Sequence, residues 1–153
     1  MFPLPTSYSL TSSQALQTLL PAAVPVHHLG LFRDPLTLEP VEYYNNLPYH
    51  IPSSSSGASE TSPASSLAIL VDPVIATGGT AAAAIQTLKE WGAQRIIVVA
   101  VLGAEAGVLR AASEWAEATE VWIAGVDGAV NEKGMIIPGL GDVGDRLFMT
   151  IGK

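Results

Sequence analysis

The sequence contains no cysteine, and this absence excludes disulfides and thiolate chemistry. A chain without disulfides fits an intracellular protein, so we expect a cytoplasmic location. Basic residues are also scarce, since 7 Lys and Arg stand against 14 Asp and Glu, for a formal net charge of -7. Nucleic acids and anionic membranes attract positive charge, so we expect neither as a partner. Backbone N–H groups can still bind a phosphate locally.

Long apolar runs and metal-binding patterns are missing too. No stretch reaches ~18 uninterrupted apolar residues, so no membrane-spanning helix is expected. The first twenty residues carry no basic segment and include Pro3 and Pro5, which argues against a signal peptide. His27 and His28 are adjacent on a predicted strand and would point to opposite faces. We therefore expect no metal site built from the histidines.

What remains is ample material for a core, because 48% of the 153 residues are hydrophobic. Residues 1–20 predict a poorly ordered N-terminus with a short helix that runs from Ser12 or Ser13 to Leu20. Residues 21–153 form the predicted domain. A serine-rich segment at 52–66 interrupts it and predicts a flexible loop, because it has no large apolar side chain to bury. A phosphorylated regulatory segment is the alternative.

The second half of the chain alternates between strand and helix patterns. Strands are predicted at residues 67–71, 95–102 and 120–126, and helices at 81–91 and 107–118. Short connections between them imply right-handed crossovers, and so an α/β fold with a parallel sheet flanked by helices. Because these strands are apolar throughout, we expect both faces of the sheet to be covered. Earlier in the chain, residues 24–32 and 41–44 predict extended segments.

Helix faces and several aromatic side chains can also be assigned from the pattern. The stripe Ala81, Ala84, Ile85 and Leu88 should face the core from the first of these helices. Val108, Ala112 and Trp115 should do so from the second. Tyr43 and Tyr44 are predicted to lie at a subunit contact.

The segment VDPVIATGGTAAAA, residues 71–84, joins a predicted strand to a predicted helix. Gly78 and Gly79 allow close backbone approach to a ligand, and the helix N-terminus adds about half a positive charge. Thr77 and Thr80 add hydroxyl donors, so the segment predicts a phosphate cradle. A phosphate would repel Asp72, whose carboxylate must then hold sugar hydroxyls or Mg²⁺. The pattern indicates a phosphorylated sugar, with a plain strand-to-helix turn as the alternative.

A second unusual segment, GMIIPGLGDVGD, begins at residue 134 and is followed by Arg146. Its glycines suit a loop whose backbone approaches a flat ligand such as uracil. Main-chain amides and carbonyls can match the donors and acceptors of uracil and leave the amino group of cytosine unpaired. A loop without a ligand is the alternative interpretation. Asp127, after the third strand, could organise this loop, contact substrate, or belong to a structural turn.

Together these motifs resemble a known family. VDPVIATGGTAAAA is similar to the phosphoribosyl-pyrophosphate (PRPP) motif of type I phosphoribosyltransferases, and its Asp-Pro pair is typical of uracil phosphoribosyltransferase. GLFRDPLTLEPVEYY, residues 30–44, and VDGAVNEKGMIIPGLGDVGDRLF, residues 126–148, resemble two further segments of that family. The resemblance runs from about Pro21 to Phe148 and covers the C-terminal part of the family's fold, so the chain apparently lacks the N-terminal part.

The resemblance implies transfer of phosphoribosyl from PRPP to uracil, giving UMP and pyrophosphate, with Mg²⁺ bound together with PRPP. It implies a homo-oligomer and catalytic roles for Asp72 and Asp142. The PRPP-binding residues would be Asp72, Pro73, Val74, Ile75, Ala76, Thr77, Gly78, Gly79, Thr80 and Asp142. The uracil-binding residues would be Ile136, Gly141, Asp142 and Val143.

The chain also departs from the family pattern. Met135 stands where the family usually has tyrosine, and no arginine precedes Arg33 to neutralise pyrophosphate. A missing N-terminal part would expose apolar surface and favour obligate association. The alternative function is a truncated or diverged, non-catalytic regulator that binds PRPP or a nucleotide.

Overall fold

The computed structural model describes residues 7–34, 37, 39–50, 63–143, 146 and 149. Residues 1–6 and most of the predicted serine-rich loop, 51–62, lie outside the described residues. The end of that predicted loop is described, and there Ser65 forms a bridge with Ala93. The Ser65 hydroxyl also donates a hydrogen bond to the carbonyl oxygen of Leu67 at 2.8 Å. These contacts tie the segment to the start of the sheet.

Three helices and eight strands make up the described chain. The helices are α1 (Ser7–Leu19), α2 (Gly79–Trp91) and α3 (Glu105–Glu114). The strands are β1 (Leu29–Arg33), β2 (Pro40–Asn45), β3 (Ala68–Val71), β4 (Val74–Ile75), β5 (Ile96–Ala104), β6 (Thr119–Asp127), β7 (Ala129–Val130) and β8 (Ile136–Ile137). None of the described helices is long and apolar enough to cross a membrane.

Several element boundaries differ from the sequence-based expectation. Helix α1 begins at Ser7 rather than at Ser12 or Ser13, because no proline or glycine separates Ser7 from the predicted start. Strand β1 begins at Leu29, after Pro25, rather than at Val24. Helix α3 ends at Glu114 because Trp115 leaves the helical region, with φ -149° and ψ 68°.

The main sheet is parallel, as predicted. Strand β5 lies in its centre, with β3 and β4 along one side and β6 along the other. Helix α2 connects β4 to β5, and α3 connects β5 to β6, so each crossover is a β-α-β unit. Strands β1 and β2 form a separate antiparallel hairpin, and β7 and β8 form another. The parallel arrangement brings the carboxyl ends of the central strands to one edge.

The core lies between one face of this sheet and helices α2 and α3. Its fully buried large side chains are Ile75, Ile85, Ile96 and Val98. The predicted α2 stripe of Ala81, Ala84, Ile85 and Leu88 is buried, which confirms that assignment. Val108 and Trp115 pack against the core while partly buried, as predicted, and Ala112 is half-buried. The buried residues of α3 are Gly107 and Ala111, which the pattern did not predict.

Among the described residues, part of the opposite face of the sheet is exposed, so the prediction that both faces are covered is wrong for that part. Along β6, burial alternates between partly buried and exposed residues. Trp122 is 64% exposed and Val126 51%, and on β5 Val101 is 59% exposed. These side chains point away from α2 and α3, and no described element buries them. An apolar strand sequence therefore does not by itself indicate that a second layer covers the sheet.

Candidate active site

The predicted phosphate loop follows β3 at the carboxyl edge of the sheet and is fixed to β5. The Asp72 N–H donates to the Val99 carbonyl at 3.1 Å. The Pro73 carbonyl accepts hydrogen bonds from the N–H groups of Val101 at 3.0 Å and Leu102 at 3.2 Å. Strand β4 then pairs with Leu102 and Gly103. The loop thus starts from a rigid strand, at the place where open α/β sheets bind ligands.

The loop ends in a left-handed glycine at the N-terminus of α2. Gly78 has φ 75° and ψ -7°, a conformation that favours glycine. A Cβ atom on Gly78 would lie 2.1 Å from the carbonyl oxygen of Gly107 in the first turn of α3. A Cβ atom on Gly107 would in turn lie 2.1 Å from the Ala76 carbonyl oxygen. Two glycines from distant parts of the chain therefore let the loop pack directly on α3.

Helix α2 presents its first backbone N–H groups at this point. The Ala82 N–H donates to the Gly78 carbonyl at 2.9 Å, so the N–H groups of Gly79, Thr80 and Ala81 precede the first intrahelical hydrogen bond. They carry the partial positive charge of the helix N-terminus. This is the backbone arrangement that binds a phosphate.

A small cavity that is open to solvent lies beside these groups, and its space together with the adjoining solvent is about 170 Å³. It is lined by Asp72, Val74, Ile75, Ala76, Gly78, Thr80 and Ala81. The structure thus brings together three of the predicted residues: Asp72 with its carboxylate, Gly78, and Thr80 with its hydroxyl. Asp72 itself makes a polar interaction within the protein.

Three predicted loop residues do not line this cavity. The Pro73 carbonyl holds β5, as described above. Gly79 faces α3, where a Cβ atom would lie 3.4 Å from an Arg110 Nη1 atom. The Thr77 hydroxyl oxygen is buried and has no hydrogen-bond partner among the described residues. The other buried hydroxyl without a partner among the described residues is that of Thr119, on β6. A buried hydroxyl without a partner lowers stability.

A second cavity, also open to solvent, adjoins the first, and its space together with the adjoining solvent is about 290 Å³. It is lined by Val74, Ala76, Leu102, Gly134, Met135, Ile136, Leu140, Gly141 and Val143. Three of the four predicted uracil residues therefore meet here: Ile136, Gly141 and Val143. The fourth, Asp142, lies in the chain between two lining residues and is exposed, but lines neither cavity.

The two cavities share Val74 and Ala76, which the sequence analysis assigned to PRPP alone. Leu102 and Leu140 were not predicted to line a site. Leu102 could have been found from its place at the carboxyl end of β5, where ligands approach. Gly107 was missed as well, because its role depends on Gly78, which lies on a different element. Met135 lines the second cavity and contributes an apolar side chain to it.

The loop around the second cavity is held by side-chain hydrogen bonds. The Asn131 Oδ1 atom accepts N–H bonds from Lys133 at 3.0 Å and Met135 at 2.9 Å. Asp127 Oδ2 accepts the Gly139 N–H at 3.0 Å, and Arg146 Nη1 donates to the Leu140 carbonyl at 2.9 Å. Of the interpretations left open for Asp127, the structure supports organisation of the loop.

Within the described ranges, His, Asp and Glu side chains form no group of three or more that could hold a metal ion. Asp72 is the single carboxylate among the residues that line the first cavity. The described side chains alone do not form a complete metal site.

The sequence and the structure were compared with those of known proteins. Residues 10–150 match the family model described as uracil phosphoribosyltransferase. The chain belongs to the uracil phosphoribosyltransferase family. The three sequence motifs at 30–44, 71–84 and 126–148 all fall within the matched range.

Curated members of the uracil phosphoribosyltransferase family match most of the chain. The chain is 45% identical over 132 residues to the uracil phosphoribosyltransferase of Roseiflexus castenholzii, covering 86% of this chain and 57% of the relative. It is 43% identical over 141 residues to that of Caldanaerobacter subterraneus, covering 92% of this chain and 60% of the relative. The chain therefore spans somewhat more than half the length of these relatives.

A solved structure supports the fold. The AQ2163 protein from Aquifex aeolicus is 33% identical and superposes with a TM-score of 0.61, covering 80% of this chain and 52% of that chain. The parallel sheet flanked by helices is thus the uracil phosphoribosyltransferase family's type of α/β fold.

Proposed function

We propose that the protein transfers phosphoribosyl from PRPP to uracil, giving UMP and pyrophosphate, in pyrimidine salvage. The observation that carries this proposal is the shared wall of the two cavities. Val74 and Ala76 line both the cavity at the proposed phosphate cradle and the second, mainly apolar cavity. A base in the second cavity and a sugar phosphate in the first would lie side by side, as the two reactants of a glycosyl transfer must.

In the proposed reaction, uracil N1 attacks C1 of PRPP, the bond from C1 to the pyrophosphate oxygen breaks, and N1 loses its proton. The transition state resembles an oxocarbenium ion, so the protein's task is positioning and charge stabilisation. Thr77, Gly78, Gly79 and Thr80 would fix the 5′-phosphate. Asp72 would hold the ribose hydroxyls and place C1 against the base.

The base would be recognised by the loop at the second cavity. Ile136, with Met135, would cover the face of the ring, and the Gly141–Val143 backbone would meet its polar edge. We place Asp142 near the ribose or the pyrophosphate, since it follows the lining residue Gly141 and is exposed. Backbone groups suited to uracil leave the amino group of cytosine without an acceptor, which disfavours cytosine.

Mg²⁺ fits this site as part of the substrate. It is a hard cation that keeps several waters and binds through one or two carboxylates together with substrate phosphates. The cavity offers one such carboxylate, Asp72. When bound with PRPP, the ion neutralises the charge of the departing pyrophosphate.

A second copy of the chain is the proposed protein partner, and the β1–β2 hairpin is the proposed contact. All residues of β2 except Pro40 are exposed, including Val41, Tyr43 and Tyr44. Aromatic side chains of this kind are enriched at protein interfaces. Sedimentation at increasing protein concentration measures whether the chain associates.

The alternative is a regulator that binds PRPP or a nucleotide without catalysis. Turnover separates the two functions. An enzyme forms UMP from uracil and PRPP, whereas a regulator binds PRPP or UMP and forms no product.

The decisive experiment uses Thr77, whose hydroxyl lacks a partner in the ligand-free protein. Thr77→Val replaces the hydroxyl by a methyl group of similar size. We expect the free energy of unfolding to rise by about 1 kcal/mol, because an unsatisfied polar group is removed. We expect affinity for ribose 5-phosphate and UMP, measured by calorimetry, to fall about tenfold. UMP formation from PRPP should fall in parallel.

Thr77→Ser is the matched control, since it keeps the hydroxyl and should retain most of the affinity. Equal affinity of the wild-type protein and Thr77→Val for ribose 5-phosphate would remove Thr77 from the cradle. If the wild-type protein binds neither ribose 5-phosphate nor UMP, the proposed function itself is wrong.

A further inference from the structure

Asp127 is the last residue of β6 and connects the sheet to the loop at the second cavity. Its partner in the register is Ala104, the last residue of β5. Its Oδ2 atom accepts the Gly139 N–H at 3.0 Å, in a partly buried position. The hydrogen bond joins two residues that are 12 positions apart in the sequence. It closes the β7–β8 hairpin back onto the end of the sheet.

The residue that Asp127 holds is the tightest point of this loop. Gly139 has φ +56°, and a Cβ atom there would lie 2.2 Å from the Ile136 carbonyl oxygen. The chain therefore turns sharply between Ile136 and Leu140, both of which line the second cavity. A shift of the Gly139 amide would move both lining residues together.

Two other side chains in the described part of the loop bond within the loop itself. Asn131 bonds to N–H groups of its own turn, at Lys133 and Met135. Arg146 bonds to the Leu140 carbonyl from farther along the same C-terminal segment. Asp127 alone among these side chains stands on a strand of the main sheet. Val74 of β4 and Leu102 of β5 form the opposite wall of the cavity and belong to that sheet. Asp127 thus sets the distance between the two walls.

We propose that Asp127 is a positioning residue for recognition of the uracil base, an inference that rests on the proposed function. Its carboxylate holds the Gly139 amide so that the Ile136–Gly141 backbone lies at the correct separation from Val74 and Leu102. Asp127 does not touch the base. Loss of this hydrogen bond widens or disorders the base cavity and leaves the phosphate cradle at α2 intact.

The test compares two ligands that differ only in the base. UMP occupies both cavities, whereas ribose 5-phosphate occupies the cradle alone, and calorimetry measures both affinities. For Asp127→Ala we expect the Kd of UMP to rise about tenfold or more, because a charge-assisted hydrogen bond is lost. We expect the Kd of ribose 5-phosphate to stay within about twofold, and the preference for UMP over CMP to shrink.

Asp127→Asn is the rescue variant, because its side-chain carbonyl can accept the same N–H. Its Kd for UMP should stay within about threefold of wild type. Glu132→Gln removes one negative charge from the exposed hairpin turn and serves as the charge control, with no expected change. Amide exchange of Gly139, followed by NMR, should be faster in Asp127→Ala and unchanged in Asp127→Asn.

The outcomes separate this inference from the proposed function. If wild-type protein binds UMP no more tightly than ribose 5-phosphate, there is no base site and both proposals fall. If wild type prefers UMP and Asp127→Ala does so equally, the inference alone is overturned. If Asp127→Ala does not fold, Asp127→Glu replaces it, since it displaces the carboxylate by one methylene. Unchanged UMP affinity in that variant would also overturn the inference.

Discussion

The contact between Gly78 and Gly107 determines the shape of the phosphate cradle. A Cβ atom on Gly78 would lie 2.1 Å from the Gly107 carbonyl oxygen, and a Cβ atom on Gly107 would lie 2.1 Å from the Ala76 carbonyl oxygen. Backbone atoms cannot move aside as a flexible side chain can, so no other residue fits either position without displacing the loop. The position of the α2 N-terminus therefore depends on a residue in α3.

Gly107→Ala tests this dependence. The added methyl group would meet the Ala76 carbonyl oxygen and the Gly78 nitrogen, so we expect the 76–80 loop to shift away from α3. The free energy of unfolding should fall by about 1–3 kcal/mol, as for other overpacked sites. Chemical denaturation measures the stability, and calorimetry with ribose 5-phosphate measures the expected loss of affinity.

Gly128→Ala is the matched control for this substitution, because a Cβ atom there has nothing within 4 Å. It should change neither stability nor affinity by more than the experimental error. A Gly107→Ala protein that keeps both wild-type stability and wild-type affinity would show that the loop does not depend on α3.

At the scale of elements, helix α2 connects the site to the β1–β2 hairpin and the chain that follows it. Trp91 Nε1 donates to the Pro48 carbonyl at 2.8 Å, and the Thr87 hydroxyl donates to Glu42 at 3.3 Å. The Lys89 ammonium lies 5.5 Å from the centroid of the Trp115 ring, so the same end of α2 also contacts α3. These contacts hold α2, whose N-terminus forms the cradle, between its neighbours.

Trp91→Phe removes the hydrogen bond to Pro48 and keeps most of the aromatic packing. We expect the free energy of unfolding to fall by about 1 kcal/mol, the usual net value of one hydrogen bond. The control is Trp122→Phe, because Trp122 is 64% exposed on the open face of the sheet. Denaturant titration should show a lower midpoint for the first variant only, and equal midpoints would contradict the role given to Trp91.

At the scale of the whole molecule, the open apolar face of the sheet is the dominant surface feature. Val101, Trp122 and Val126 are all more than half exposed, and they lie on the face opposite α2 and α3. Apolar patches of this kind mark association sites or aggregation hazards.

We expect the double variant Val101→Lys, Trp122→Lys to associate less than the wild-type chain. Static light scattering measures the mean mass, and binding of an apolar dye measures exposed apolar surface. Both should decrease, while the free energy of unfolding stays within about 0.5 kcal/mol, because exposed positions tolerate substitution.

Leu109→Lys on α3 is the control, since Leu109 is 60% exposed but lies on a helix rather than on the sheet. It should leave association unchanged. If the double variant associates as strongly as the wild-type chain, the exposed sheet face adds nothing to association beyond the proposed β1–β2 contact.

The sequence by itself determined the α/β class, the parallel order of strands and helices, and the loop type at residues 72–80. Those features depend on local patterns: apolar strands, the α2 stripe, and glycines at a strand-to-helix junction. The tertiary structure alone decided the bounds of the two cavities, the Gly78–Gly107 contact and the Asp127–Gly139 hydrogen bond. These join residues far apart in sequence, so no local periodicity contains them. The tertiary structure also decided that part of one sheet face is exposed among the described residues. An apolar strand sequence shows that burial would be favourable, but it does not show that a covering element is present.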